Sequence, residues 1–299
     1  MNGIHLSMVI GIGVGLASLG AEPLARRYAD RGELIVGPFA AAPFPHPARA
    51  EGHKYKEEVF SAQDHYSDST VAIFIPKGFR ETGQIDFVVH FHGWRNHVEN
   101  VLDHYKLIEQ LVESGRNAVL IVPQGPRDAA DSFGGKLEDP DGFKRFMEEA
   151  VKILREKSAL KRKSFRVGRI VLSGHSGGYG VISSILDHGG LTGQVREVWL
   201  FDALYGRTDK FLAWINRGEG RLIDIYTENG GTKEETERLM ATLKQQEKPF
   251  LAARESDHPD LRAQRLIFLY TDLPHDAVVE KRQAFRDYLK TSCLEAISQ

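Results

Sequence analysis

The chain has 299 residues, of which 41% are hydrophobic and 27% are charged, and its formal net charge is -2. This composition is ordinary for a folded protein with a sizeable core, and the charge balance argues against a nucleic-acid partner because it forces no basic face. The lone cysteine, Cys293, excludes an internal disulfide framework and a cysteine-rich zinc site.

The N-terminus is an almost uncharged segment, IHLSMVIGIGVGLASLG at 4–20, followed by AEPLARR. Its apolar core and the small residues Ser18 and Gly20 are typical of a secretory signal peptide, although MNGIH carries no Lys or Arg. We therefore expect a signal peptide over 1–21 and a secreted or periplasmic protein. An uncleaved anchor and a buried first element are the alternatives, the latter in a cytoplasmic protein. The segment is too short and glycine-rich to favour a stable membrane span.

Residues 39–56, FAAAPFPHPARAEGHKYK, are rich in proline and alanine, which predicts an extended N-terminal linker over 22–58. From residue 59 to 299, strand-like and helix-like segments alternate in a single domain. The expected strands are 70–76, 85–93, 117–125, 166–174, 195–206, 221–227 and 265–271, and the expected helices include 101–115, 139–160 and 179–190. This alternation predicts an α/β fold with a mostly parallel sheet and helices on both faces.

The segment LSGHSGGYG at 172–180 follows the apolar run RIVL. It matches G-x-S-x-G directly after a strand and directly before a helix. Glycines suit a sharp turn that leaves no room for side chains beside the serine, and the amides of the following helix point at it. The pattern predicts Ser176 as a nucleophile, with a glycine-rich turn around an incidental serine as the alternative.

Three motifs in this order resemble the α/β-hydrolase superfamily: HFHGW at 90–94, GHSGG at 174–178 and PHDAVV at 274–279. The resemblance runs from about residue 70 to the C-terminus. It implies an α/β-hydrolase fold and a serine hydrolase. The strand and long helix between the first two motifs are reminiscent of the feruloyl esterase and polyester depolymerase branch.

A serine nucleophile needs a base and an acid that orients the base. His275 follows the last strand, where it can reach Ser176, although a surface histidine is the alternative. Asp202 and Glu228 end two successive strands, and either could hydrogen-bond His275. Asp202 is favoured because a carboxylate directly after VWLF is costly unless paired, whereas Glu228 precedes the polar NGG. The superfamily more commonly keeps its acid at the position of Glu228, and Asp272 and Asp276 are minor alternatives.

Two backbone amides are expected to stabilise an oxyanion. One belongs to Gly177, and the resemblance implies Trp94 as the other. His90 and His92 face the same side of their strand, and we expect them, with Gly93, to brace the loop that carries Trp94. H-x-H on a strand can also bind zinc, but a further ligand close by is missing. The sequence therefore predicts no metal and no cofactor.

Together these features predict a carboxylesterase-like serine hydrolase that acts on a small-molecule or polymer-end ester. The loop at 128–142 overhangs the same sheet edge, and we expect it either to shape substrate access or to be a solvated loop. Because other enzymes share the triad chemistry, a peptidase or amidase stays open. A non-catalytic binding protein that retains the fold is the remaining alternative.

Overall fold

The computed structural model of the protein describes residues 21–162, 164–218 and 220–297. The expected signal peptide therefore lies outside the described residues, except for Ala21. Within these ranges, no helix combines the length and apolar character needed to cross a membrane.

The described residues contain eleven strands. They are β1 (Gly32–Pro38), β2 (His53–Tyr55), β3 (Glu58–Phe60), β4 (Thr70–Pro76), β5 (Gln84–Phe91), β6 (Val119–Pro123), β7 (Arg166–His175), β8 (Val195–Phe201), β9 (Arg221–Thr227), β10 (Leu251–Arg254) and β11 (Leu266–Thr271). Nine of them form one sheet in the order β1-β4-β6-β5-β7-β8-β9-β11-β10, while β2 and β3 form a separate hairpin. In this order of the sheet, all strands from β6 to β10 are parallel to one another. Strand β4 is antiparallel to both its neighbours, β1 and β6.

Helices cover both faces of this sheet. They are α1 (Ala21–Arg27), α2 (Ala62–His65), α3 (Val98–His104), α4 (Leu107–Ser114), α5 (Gly142–Lys157), α6 (Tyr179–His188), α7 (Thr208–Asn216), α8 (Lys233–Gln245) and α9 (Ala284–Thr291). Helices α5 to α8 pack on one face, and α1, α3, α4 and α9 pack on the other. A strand covered on both faces reads as a continuous apolar run, as VLIVP does in β6, where all five residues are buried. The predicted α/β architecture is confirmed.

The helix expected over 101–115 is two helices, α3 and α4. Lys106 between them has a φ of +50°, and a residue in the left-handed region cannot continue a right-handed helix. The side-chain amide of Gln110 donates to the carbonyl oxygen of Tyr105 at 2.7 Å, which satisfies the main chain at the break. Periodicity alone does not reveal this break, because the apolar spacing continues across it.

The segment 22–58, expected as an extended linker, is instead integrated into the fold. Strand β1 pairs with β4 along its whole length, from Gly32 opposite Pro76 to Pro38 opposite Thr70. Phe39 and Phe44 are buried, and the Arg49 guanidinium pairs with the Asp131 carboxylate at 2.7 Å. The proline-rich composition conceals the short apolar run ELIVG, which supplies the edge strand.

We therefore expect a fragment of residues 59–299 to be much less stable than a fragment of residues 22–299. Removing β1 exposes the edge of β4, and removing Arg49 leaves the carboxylate of Asp131 buried without its cation, which typically costs about 3–5 kcal/mol. Thermal unfolding followed by circular dichroism would compare the two fragments. Equal melting temperatures would show that the N-terminal segment is dispensable for folding.

Candidate active site

Ser176 lies directly after the central strand β7, at the carboxyl edge of the sheet. Its φ is +52°, a left-handed conformation that is strained for a serine. A 3-10 turn over Ser176–Gly178 leads into α6. A Cβ at Gly178 would lie 2.7 Å from the carbonyl oxygen of Phe91, and one at Gly174 would lie 2.7 Å from Ile182 Cδ1. The glycines therefore allow the strand and helix to pack closely around this turn.

His275 and Asp202 meet at the same edge. His275 follows β11 and Asp202 follows β8, and the distance from His275 Nδ1 to Asp202 Oδ2 is 2.6 Å. Asp202 is fully buried. The alternative acid, Glu228, is instead exposed and pairs with Lys233 Nζ at 2.7 Å. The structure therefore brings Asp202, and not Glu228, to the imidazole.

The surroundings of Asp202 keep it ionised. Burial favours a raised pKa, but hydrogen bonds from His275, Thr232 and Thr227 outweigh it and lower the pKa below its usual value. Oδ1 accepts from the Thr227 amide at 3.1 Å and from the Thr232 hydroxyl, and Oδ2 accepts from the Thr227 hydroxyl at 2.8 Å. A carboxylate at this point accepts the Nδ1 proton of His275 and so leaves Nε2 free to act as a base. Neither threonine was expected from the sequence.

His175 braces the main chain of His275. Its Nδ1 lies 2.9 Å from the Tyr105 hydroxyl, and its Nε2 lies 3.0 Å from the carbonyl oxygen of His275. Since a carbonyl oxygen only accepts, Nε2 carries the proton and Nδ1 accepts from Tyr105. Burial lowers the pKa of His175 to about 4. His175, the motif residue before Ser176, is thus neutral and connects Tyr105, at the end of α3, to the loop after β11.

The two histidines of HFHGW have different neighbours. His92 Nδ1 donates to the carbonyl oxygen of Gly93 at 2.8 Å, and Nε2 accepts from the Gly125 amide at 2.9 Å. Burial lowers the pKa of His92 to about 4, so a neutral imidazole ties the loop after β5 to the end of β6. His90 Nδ1 instead lies 2.9 Å from Ser173 Oγ on β7. Thus His92 contacts the loop that carries Trp94, whereas His90 connects the strands β5 and β7.

The loop after β5 lies against the serine. A Cβ at Gly93 would lie 2.5 Å from Ser176 Cβ and 3.1 Å from Ser176 Oγ, so the main chain approaches the hydroxyl as closely as packing permits. A Cβ at Gly177 would lie 2.9 Å from Trp94 Cδ1. The amide of Arg95 donates to the carbonyl oxygen of Ala129 at 2.9 Å, which anchors the loop. Trp94 in this loop and Gly177 in the turn after β7 are therefore neighbours beside Ser176.

These residues line a cavity of about 660 Å³. It is bordered by Ser176 and His275, by the aromatic side chains of Trp94, Tyr179 and Tyr205, and by the polar side chains of Arg95, Asn100 and Asp276. The loop at 128–142 reaches the cavity through Ser132, whose Oγ accepts a hydrogen bond from Trp94 Nε1 at 2.7 Å. The loop therefore forms part of the cavity wall, a role that its polar composition left undecided.

His175 and His275, which border the cavity, have protein hydrogen-bond partners. In the described part of the chain, the one group with suitably spaced metal-ligand atoms is His175, His275 and Asp276, within 4.8 Å of one another. However, both ring nitrogens of His175 and the Nδ1 of His275 already have hydrogen-bond partners. A cation that took His175 as a ligand would have to break one of these bonds, since both of its ring nitrogens are in use.

Comparison with known proteins identifies the fold. No protein-family model matches the sequence, and no similar curated protein is found. The structure is similar to that of FphF, a fluorophosphonate-binding serine hydrolase of Staphylococcus aureus, with a TM-score of 0.51, 12% identity, and coverage of 87% of this chain and 97% of that one. It is also similar to a ferulic acid esterase, with a TM-score of 0.50, 13% identity, and coverage of 74% and 90%. The chain has the α/β-hydrolase fold, which confirms the resemblance seen in its motifs.

The buried histidines predict a pH-dependent stability. His92 and His175 have a pKa of about 4 when folded and about 6.5 when unfolded. Between these values the unfolded chain binds more protons, so the free energy of unfolding decreases as the pH falls from 6.5 towards 4. Each histidine contributes up to about 1.4 kcal/mol per pH unit.

Urea unfolding between pH 7 and 4.5 would measure this slope. We expect His175→Gln to make it shallower, because this variant lacks one of the two buried imidazoles. An unchanged slope in His175→Gln would mean that this imidazole is not kept neutral by folding.

Proposed function

We propose that the protein is a serine hydrolase that cleaves a carboxylic ester by acyl transfer. The observation that carries the proposal is the 2.6 Å contact from His275 Nδ1 to the buried carboxylate of Asp202, in the cavity that Ser176 borders. A base oriented in this way beside a serine in a glycine-lined turn is the arrangement that activates a hydroxyl. The α/β-hydrolase fold shared with a serine hydrolase and a ferulic acid esterase supports the same chemistry.

In the mechanism that we propose, Ser176 Oγ attacks the carbonyl carbon of the ester while His275 Nε2 takes the hydroxyl proton. The carbonyl oxygen becomes an oxyanion, which the amides of Gly177 and Trp94 stabilise. The imidazolium then gives its proton to the leaving alkoxide as the ester bond breaks. Water, deprotonated by His275, then attacks the acyl-enzyme, and the imidazolium returns this proton to Ser176 Oγ as the bond to the acyl group breaks and the acid is released. Asp202 stays ionised throughout and stabilises the imidazolium.

The cavity supports a substrate of small to moderate size. Its volume of about 660 Å³ is within the range of sites that hold drug-sized molecules. The aromatic side chains of Trp94, Tyr179 and Tyr205 offer apolar faces, so the proposed substrate is a small-molecule ester or the end of an ester polymer. Comparing p-nitrophenyl esters with the matching p-nitroanilides would separate esterase from amidase activity.

We expect hydrolysis of a short-chain p-nitrophenyl ester by residues 22–299 to be abolished in Ser176→Ala, and fluorophosphonate labelling to be lost with it. Asp202→Asn should lower kcat by on the order of 10³–10⁴, because an amide stabilises the wrong imidazole tautomer. Glu228→Gln is the matched control, and its kcat should stay close to wild type. If wild type and Ser176→Ala were equally inert to ester and probe, the proposed function would be wrong.

Gly230 offers a further test of the acid. A Cβ at this position would lie 1.9 Å from Asp202 Oδ2, so Gly230→Ala should displace the carboxylate from His275. Misplacement on this scale typically costs on the order of 100-fold in rate. Gly193→Ala is the control, because a Cβ there meets no atom within 4 Å. Equal kcat values in the two variants would contradict the role given to Asp202.

A further inference from the structure

Ser132 borders the cavity but has no part in the mechanism described above. Its Oγ lies 2.7 Å from Trp94 Nε1 and 2.7 Å from the point that a Cβ at Gly177 would occupy. The hydroxyl therefore lies beside both residues to which the proposed mechanism assigns the oxyanion. A serine in a polar loop leaves no local pattern that would predict this position.

The hydrogen bond with Trp94 fixes how this hydroxyl can act. An indole N–H only donates, so Ser132 Oγ is the acceptor in that bond and keeps its own proton for another partner. Among the hydrogen bonds of the described residues, none uses Ser132 Oγ as a donor to another protein atom. A hydroxyl that accepts one hydrogen bond is polarised and donates a second one more strongly. The Ser132 proton is thus available to a group inside the cavity.

The loop around Ser132 is held rigidly. Asp131 is buried, and its carboxylate accepts from Arg49 Nε at 2.7 Å, from an Arg49 terminal nitrogen at 3.1 Å and from the Phe133 amide at 3.0 Å. Two residues further on, the Gly134 amide donates to Glu138 Oε1 at 2.7 Å. Residues on both sides of Ser132 are therefore anchored. Fixed donors stabilise developing charge without a cost of reorganisation.

We propose that the Ser132 hydroxyl is a third donor to the oxyanion, acting beside the amides of Gly177 and Trp94. It donates its hydrogen bond to the substrate carbonyl oxygen as negative charge develops, and the Trp94 indole polarises it from behind. No bond to Ser132 forms or breaks. The inference rests on the proposed function and makes Ser132 a catalytic residue of the same site.

Steady-state kinetics on a p-nitrophenyl ester would test this role. Ser132→Ala should lower kcat by on the order of 100-fold with little change in KM, because the donor acts only in the transition state. Ser132→Thr keeps a hydroxyl and should recover most of the loss. Trp94→Phe keeps an aromatic ring and the main-chain amide but removes the indole N–H, so its kcat should fall by less than about tenfold.

A transition-state analogue gives an independent readout. A trifluoromethyl ketone forms a hemiketal with Ser176 and places an anionic oxygen in the oxyanion site, so Ser132→Ala should weaken its inhibition in proportion to the loss of kcat/KM. Thermal unfolding would check that the variant is folded. If Ser132→Ala fails to fold, Ser132→Cys, with its weak donor, takes its place, and the same loss is expected.

The outcomes separate the two proposals. Equal losses in Ser132→Ala and Trp94→Phe would mean that Ser132 only anchors the indole, and this inference would be overturned. It would also be overturned if Ser132→Ala kept wild-type kcat and inhibitor affinity. If wild type neither hydrolysed the ester nor reacted with a fluorophosphonate, the proposed function itself would fail, and this inference with it.

Discussion

The buried carboxylate of Asp202 is the group on which the geometry of the site depends. A charge without solvent is tolerated only when hydrogen bonds replace its hydration, and here the replacements come from Thr227, Thr232 and His275. The same bonds join the ends of β8 and β9 to the loop after β11. The main chain at Gly230 packs so closely against this carboxylate that a Cβ there would lie 1.9 Å from Oδ2. The hydrogen bonds that replace the hydration of Asp202 therefore also position the imidazole of His275.

Neutral histidines extend this positioning beyond the acid. His175 joins Tyr105 to the main chain of His275 by two hydrogen bonds, and His92 joins the main chain after β6 to the loop beside Ser176 in the same way. In each imidazole one nitrogen donates a hydrogen bond and the other accepts one. A neutral, buried histidine therefore connects two parts of the main chain or side chains around it without carrying a charge. Ser176, His275 and the loop after β5 are thus held in place at the strand ends by these hydrogen bonds and by close packing. Such preorganisation is what electrostatic stabilisation of a transition state requires.

The sequence predicted those parts of the site that leave a local pattern. Ser176 follows from glycines between a strand and a helix, and the preference for Asp202 over Glu228 followed from the cost of a carboxylate after an apolar run. The threonines around Asp202 and the link from Tyr105 to His175 leave no such pattern, because residues distant along the chain create them. Composition was misleading for 22–58, where abundant proline and alanine outweighed the strand-forming run in β1.

The N-terminal segment 22–58 also contributes to the site. Arg49 lies in it, and its guanidinium neutralises Asp131 in the loop that forms one wall of the cavity. The hairpin of β2 and β3 adds a second connection, since the Glu58 carboxylate pairs with Arg95 at 2.6 Å and the ring of Tyr55 lies 4.8 Å from that of Trp94. Residues that precede the repeating strand–helix pattern thus fix two loops around Ser176. The segment is therefore part of the scaffold of the site as well as of the sheet, and a domain boundary at residue 59 would divide one functional unit.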